Sequence, residues 1–174
     1  LWEESVLKSI TKAAAASTML LALSSGAGAN ESLAELGKDP TNWVMQSGDY
    51  ANTRYSPLKN IDKANVGDLQ VAWSFSTGVL RGHEGGPLVI GDTMFVHTPF
   101  PNIVYALDLS EDGAIKWKYE PRQDANVIPV MCCDTVNRGV AYVPPEGDQP
   151  AKIILHQADT SVVALNADTG EQLW

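Results

Sequence analysis

The two cysteines of the chain are adjacent, at Cys132 and Cys133. A trans peptide holds neighbouring Cα atoms about 3.8 Å apart, which is shorter than the usual separation of disulfide-bonded residues. A bond between the two sulfurs would therefore close a small, strained ring, and strain of this kind collects at functional sites. In an oxidising compartment the pair is expected to be a disulfide, whereas in the cytosol it would indicate metal or redox chemistry. Two buried, unreactive thiols are the alternative.

Glu84 is the second group that could do chemistry, in the segment Gly82-His83-Glu84-Gly85-Gly86-Pro87. Backbone rich in glycine can approach a ligand closely, so a carboxylate here is a candidate ligand-binding group. The alternative is a solvated turn residue. His83 is better explained by a structural role, and His97 and His156 lie in strand patterns that give no metal-ligand spacing.

Short strands separated by turns must position both segments. Leu88 to Ile90 and Thr93 to His97 flank Gly91-Asp92, which is typical of a hairpin because glycine tolerates a positive φ. A short helix is predicted earlier, from Glu31 to Gly37. Six further strands are predicted to complete two four-strand units: Ile103 to Leu109, Ala114 to Tyr119, Gly139 to Val143, Lys152 to His156, Ser161 to Leu165 and Glu171 to Trp174.

The two units share a repeated motif. Val-Tyr-Ala-Leu-Asp at 104–108 matches Val-Val-Ala-Leu-Asn at 162–166, and each copy is followed by a glycine and then by a tryptophan four residues later. The Asp or Asn can bond its own turn backbone, the glycine supplies a positive φ, and the tryptophan offers a flat surface for packing on a neighbouring sheet. The repeat predicts stacked units of one kind. Two unrelated hairpins that each end in an aromatic residue are the alternative.

Residues 1–29 have the pattern of a bacterial secretory signal. Lys8 and Lys12 precede an apolar run of 11 residues, 13–23, and residues 27–29 offer alanines at the two positions that a signal peptidase reads. The run is shorter than a helix that spans a hydrocarbon core about 30 Å thick, so a retained membrane anchor is not expected.

The charge distribution favours a soluble, exported protein over a nucleic-acid binder. The formal net charge of −9 belongs to the mature part, because the four charges of residues 1–29 cancel. An acidic surface disfavours phosphate backbones. The chain opens on Leu1 and carries Glu3 and Glu4 where a signal is usually basic, so translation is expected to start downstream of Leu1.

Several of these segments resemble one known family. The stretch from Trp43 to Leu58 is similar to the start of mature quinoprotein alcohol dehydrogenases, and 164–174 resembles the tryptophan-docking motif of quinoprotein propellers. The Gly-His-Glu-Gly and Cys-Cys segments are also similar to segments of this family. The whole stretch from Asn30 to Trp174 resembles PQQ-dependent alcohol dehydrogenases of the methanol dehydrogenase large-subunit type. It implies an all-β, eight-bladed β-propeller, of which residues 30–174 form the first two to three blades.

The resemblance also implies roles for four residues. Glu84 would contact the PQQ cofactor, Cys132 and Cys133 would form a vicinal disulfide lying flat against one face of its ring system, and Arg138 would reach toward its quinone oxygens. A fixed guanidinium there would stabilise charge on the reduced cofactor. The metal ligands and the Asp that removes the alcohol proton are expected beyond Trp174, so no catalytic or metal-binding residue is assigned to this chain.

The activity implied by the resemblance is periplasmic oxidation of a primary alcohol, with methanol the leading candidate, and transfer of the electrons to a cytochrome c. A calcium or lanthanide ion would polarise the PQQ carbonyl as a Lewis acid, and general similarity favours a lanthanide. The resemblance leaves a homodimer and a small subunit open as partners.

Two other functions fit parts of the sequence. A non-catalytic propeller scaffold, of the outer-membrane assembly type, needs the signal and the tryptophan repeats but neither adjacent cysteines nor a glycine-flanked glutamate. A secreted dithiol oxidoreductase usually has Cys-x-x-Cys at a helix start, whereas Cys132 and Cys133 have no spacer.

In a Gram-negative host the protein should be exported and cleaved after Ala29, because the alanines at 27 and 29 follow a short apolar run. Intact-mass analysis of the periplasmic fraction should show Asn30 as the first residue. An unprocessed chain in the cytoplasm would contradict the signal.

Overall fold

The computed structural model describes residues 30–174, so the predicted signal lies outside the described residues. Helix α1 comprises Glu31–Leu36, close to the predicted helix. The strands are β1 (Leu88–Ile90), β2 (Thr93–His97), β3 (Val104–Asp108), β4 (Ala114–Tyr119), β5 (Ala141–Val143), β6 (Lys152–His156) and β7 (Val162–Asn166). None of the helices described between residues 30 and 174 has the length and apolar character needed to span a bilayer.

The first sheet has the order β1-β2-β3-β4, and every neighbouring pair is antiparallel. Gly91 has a φ of +55° at the β1–β2 turn, as the hairpin prediction requires. The predicted bounds of β1, β2 and β4 are confirmed, and β3 is one residue shorter at each end. The predicted four-strand unit is therefore present.

The second sheet has the order β5-β6-β7, again antiparallel. The predicted fourth strand from Glu171 to Trp174 is wrong as a strand, because this segment forms only an isolated bridge between Gln172 and Leu165. It still runs antiparallel to β7, with Leu173 N–H donating to the Ala164 carbonyl oxygen at 2.8 Å. Within residues 171–174 only Gln172 forms a bridge with β7, so the segment lacks the regular ladder of a strand.

An apolar cluster joins the facing sides of the two sheets. It includes Phe95 and Trp117 from the first sheet and Tyr142, Ile153 and Leu165 from the second. The ring centroids of Phe95 and Tyr142 are 6.3 Å apart. The two sheets therefore share one core rather than forming separate hairpins.

The opposite face of the first sheet is covered by a segment that precedes it in the chain. Tyr105 and Leu107 of β3 pack there against Trp73 and Phe75. The Phe75 and Tyr105 rings meet edge to face at 5.0 Å, a favourable aromatic geometry. Consequently β3 is buried on both faces, which explains its unbroken apolar run Val-Tyr-Ala-Leu.

Tryptophan docking fixes the spacing between the sheets. The indole N–H of Trp117 donates to the Ala167 carbonyl oxygen at 2.9 Å, and a Cβ added to Gly170 would lie 2.7 Å from the same ring. Gly170 has a φ of +75°. The predicted roles of the glycine and the tryptophan are thus confirmed, and the two sheets are arranged as successive propeller blades.

A second docking contact was not predicted from the sequence. A Cβ at Gly113 would lie 2.7 Å from the Trp73 ring, so this pair repeats the geometry of Trp117 and Gly170. Trp73 follows Gly67 by six residues, whereas the predicted motif has an interval of four.

Replacing Gly170 by Ala should lower the stability of the full-length protein, because the new methyl group would overlap the Trp117 ring. Gly147→Ala is the matched control, since Gly147 also has a positive φ of +55° but its Cβ would meet nothing within 4 Å. We expect Gly170→Ala to cost about 1–3 kcal/mol more than the control. Chemical denaturation measures the difference, and equal costs would show that the contact does not constrain the sheets.

Candidate functional site

Two loops carry the residues that the sequence singles out. Residues 81–87, here called the glutamate loop, lead into β1, and residues 131–139, the cysteine loop, lead toward β5. Each loop therefore precedes the first strand of a different sheet. Their relative position depends on how the two sheets are packed.

The structure brings Glu84 and Arg138 into contact. The Arg138 Nη2 lies 3.3 Å from the Glu84 Oε2, although the two residues are 54 positions apart in the chain. Both side chains are exposed, by 73% for Arg138 and 51% for Glu84. An exposed ion pair of this kind contributes about 0–1 kcal/mol, so both groups retain the capacity to bind a ligand.

The predicted bond between Cys132 and Cys133 is present, with the sulfurs 2.02 Å apart. Both cysteines are exposed, and the backbone that follows them has an unusual conformation. Cys133, Asp134 and Thr135 have φ values of +63°, +56° and +63°. Positive φ is uncommon for residues other than glycine and persists only where surrounding contacts enforce it.

Asp134 makes contacts that hold the cysteine loop against the glutamate loop. Its carboxylate accepts hydrogen bonds from the Gly82 backbone N–H at 3.0 Å and from the Arg81 guanidinium at 3.2 Å. These contacts, the Gly82 N–H first, lower the pKa of Asp134, so the carboxylate is ionised at neutral pH. The disulfide is thus placed beside the loop that carries Glu84.

Buried uncharged groups also join the two loops. The His97 side chain, at the end of β2, is 5% exposed, and its Nε2 lies 3.1 Å from the Asn137 carbonyl oxygen. Since a carbonyl oxygen only accepts, Nε2 carries the proton and donates. Burial lowers the pKa of His97, which keeps the imidazole neutral.

Packing inside the protein also accounts for the glycines of the two loops. A Cβ at Gly85 would lie 2.0 Å from the His97 ring, and one at Gly139 would lie 2.3 Å from the Gln46 amide nitrogen. These glycines are therefore required by neighbouring side chains, whether or not a ligand approaches. The sequence alone does not show this reason for the glycines.

His83 has side-chain contacts that fit a structural role. His83 Nδ1 donates to the Arg81 carbonyl oxygen at 2.7 Å, and its Nε2 accepts from the Thr77 hydroxyl at 3.0 Å. The carbonyl oxygen of His156 accepts from the Asn137 side-chain amide at 2.9 Å. Within residues 30–174 the structure contains no group of three or more His, Cys, Asp or Glu side chains arranged to hold a metal ion.

A shallow cavity is lined in part by residues of the cysteine loop. It has a volume of about 230 Å³ and lies next to Arg138. Its other lining residues include Asn102, Met131 and Gln157. Arg138 thus lines this cavity and also contacts Glu84.

Comparison with known proteins shows which family has this arrangement. Residues 43–173 match the family described as PQQ, the glucose/ethanol/alcohol dehydrogenase β-propeller domain. The chain belongs to this PQQ dehydrogenase β-propeller family. Both loops and both sheets lie within the matched residues, so the predicted propeller fold is confirmed.

Curated relatives in the PQQ dehydrogenase family include two methanol dehydrogenases. The chain is 60% identical over 154 residues to the lanthanide-dependent methanol dehydrogenase of Methylorubrum extorquens. The matched region covers 88% of this chain and 25% of the relative. It is 50% identical over 171 residues to subunit 1 of the cytochrome c methanol dehydrogenase of Paracoccus denitrificans, covering 94% and 27%. The chain thus spans about a quarter of the length of these relatives.

A solved structure agrees in both sequence and fold. The europium-containing methanol dehydrogenase superposes with a TM-score of 0.77 at 53% identity, over 83% of this chain and 24% of that chain. This agreement supports the recognition made from the tryptophan repeats and the Cys-Cys segment.

In the full-length protein, Cys132 and Cys133 should be unreactive toward alkylating agents until they are reduced. Both side chains are exposed, so protection would come from the bond between them and not from burial. Peptide mapping without reduction should give a peptide two hydrogens lighter than its reduced form. Complete alkylation of both residues in the native full-length protein would contradict the disulfide.

Proposed function

We propose that the full-length protein is a periplasmic PQQ-dependent dehydrogenase that oxidises a primary alcohol, methanol first among them, to the aldehyde. The observation that carries this proposal is the meeting of the two loops: one supplies Glu84 and the other supplies Arg138 and an exposed disulfide. Methanol dehydrogenases among the relatives support the choice of substrate.

The residues of the two loops fit a planar, anionic quinone such as PQQ. Arg138 offers a planar guanidinium whose donors match carboxylate and carbonyl oxygens. Its side chain is 73% exposed, so it can turn toward a ligand without breaking a strong internal contact. The Cys132–Cys133 disulfide offers an uncharged sulfur surface beside it.

The bound cofactor would supply the redox chemistry, and the residues of this chain would hold it and adjust its charge. Arg138 would stabilise negative charge on the reduced quinone, because a fixed cation near that charge needs no reorganisation during the reaction. Glu84, which lies 3.3 Å from Arg138, would orient the guanidinium and contact the same ligand. The disulfide would cover one face and exclude water from it.

The relatives support a proposal for the metal and for the electron acceptor. We assign a lanthanide as the metal, because the chain is 60% identical to a lanthanide-dependent relative and 50% identical to a cytochrome c methanol dehydrogenase subunit. The name of the second relative includes cytochrome c and the words subunit 1. It therefore supports a cytochrome c as acceptor and a further, small subunit as partner. The assignment is tested by measuring the metal content of full-length protein purified from cells that were grown with calcium and a light lanthanide together.

Replacing Arg138 by Lys in the full-length protein should weaken PQQ binding and slow alcohol oxidation. Lysine keeps the positive charge but loses the planar fork, and we expect a cost of about 1.5–3 kcal/mol in charged hydrogen bonding. Glu84→Gln should weaken PQQ retention or shift its redox behaviour as well. The measurements are PQQ content and dye-linked methanol oxidation of protein purified with its metal.

The control is Lys59→Gln, which changes an exposed residue outside both loops and should alter neither quantity. If wild-type protein binds no PQQ, or if Arg138→Lys and Glu84→Gln leave binding and turnover unchanged, the enzyme proposal fails. The non-catalytic scaffold would then be favoured, since it needs the docked tryptophans and not the loop residues.

A further inference from the structure

The contact between Glu84 and Arg138 is too exposed to fix its own geometry. The two side chains are 51% and 73% exposed, and pairs of this kind exchange readily with water. A site that requires both groups on one ligand needs another source of order. Two side chains, His97 and Gln46, contact both loops.

His97 is the first such side chain. Its ring donates to the Asn137 carbonyl oxygen of the cysteine loop, and it lies directly under Gly85 of the glutamate loop, where a Cβ would be 2.0 Å from Nε2. The other ring nitrogen, Nδ1, has no hydrogen-bond partner among the described residues. Because burying an unpaired acceptor is unfavourable, the contact with Asn137 is the polar interaction that accounts for a histidine here.

Gln46 is the second side chain that contacts both loops. Its side-chain amide accepts from the Gly86 N–H at 2.7 Å and donates to the Gly86 carbonyl oxygen at 3.0 Å, so it pairs with the glutamate loop as a strand would. On its other side it lies against Gly139, where a Cβ would be 2.3 Å from the amide nitrogen. Gln46 therefore separates the two loops by the width of one amide group.

The backbone that His97 and Gln46 contact is adjacent in sequence to the two charged residues. Glu84 directly precedes Gly85 and Gly86, and Arg138 lies between Asn137 and Gly139. Each charged residue is thus adjacent to backbone that the uncharged side chains of Gln46, which is partly buried, and His97, which is buried, contact.

We propose that Gln46 and His97 are positioning residues, which hold the glutamate and cysteine loops at the separation that lets Glu84 and Arg138 bind one PQQ together. This inference rests on the proposed function. It assigns no contact between PQQ and either Gln46 or His97. Their effect is transmitted through the loop backbone.

The test is a double-mutant cycle for PQQ binding to the full-length protein, measured by titrating cofactor-free protein with PQQ. In the wild-type background, Glu84→Gln and Arg138→Lys should be coupled by about tenfold in Kd, the size expected for one charged hydrogen-bonded pair. In His97→Leu the same two substitutions should act independently. Gln46→Met, which removes both hydrogen bonds to Gly86, should have the same effect.

Two further variants separate positioning from general loss of stability. His97→Gln places an amide donor near the position of Nε2 and should restore most of the coupling. Leu107→Val trims a fully buried side chain of β3 away from both loops, and it should lower stability without changing the coupling.

The outcomes distinguish this inference from the proposed function. Loss of coupling in His97→Leu or Gln46→Met, with recovery in His97→Gln, supports positioning. Coupling that persists in these variants, or that Leu107→Val abolishes equally, overturns the inference while leaving PQQ binding established. If the wild type binds no PQQ, the proposed function fails and the inference fails with it. Should His97→Leu not fold, Gln46→Met decides the result.

Discussion

The indole ring of Trp117 occupies the space where a side chain at position 170 would stand, and its N–H is bonded to the Ala167 carbonyl oxygen. This contact restricts both the spacing and the relative rotation of the two sheets. Protein interiors are close-packed, and a hydrogen bond weakens steeply when its donor and acceptor are misaligned. The glutamate loop leads into the first sheet and the cysteine loop toward the second. The packing of the two sheets therefore limits where the two loops can lie relative to each other.

Different residues are proposed to bind the ligand and to position the two loops. The groups that could meet a ligand, Glu84, Arg138 and the disulfide, are exposed, and their mutual contact is weak. The groups that join the loops from beneath, Gln46 and His97, are uncharged and partly or fully buried, with hydrogen bonds to backbone. Such bonds are costly to break without a replacement partner, at about 1–3 kcal/mol for each group left unpaired. This arrangement keeps the charged groups free for a ligand without leaving their positions undefined.

Local patterns in the sequence predicted the parts of the fold whose causes are local. The Gly170 turn and the packing of Trp117 follow from a motif of about a dozen residues, and the disulfide from two adjacent cysteines. Trp73 was missed because its interval from Gly67 is longer than that of the recognised motif.

Gln46 and His97 gave no signal in the sequence. The partners of both are backbone groups 40 residues away, and backbone groups are the same in every sequence. The meeting of Glu84 and Arg138 is equally non-local. It was expected from family resemblance alone, since no spacing rule joins residues 54 positions apart.

We propose that the two loops bind one PQQ. A crystal structure of the full-length holoenzyme tests it most directly. We expect PQQ to lie against the Cys132–Cys133 disulfide, with the Arg138 guanidinium and the Glu84 carboxylate both within hydrogen-bonding distance of it. A holoenzyme in which PQQ lies elsewhere, or contacts neither Glu84 nor Arg138, would show that the two loops do not form its binding site.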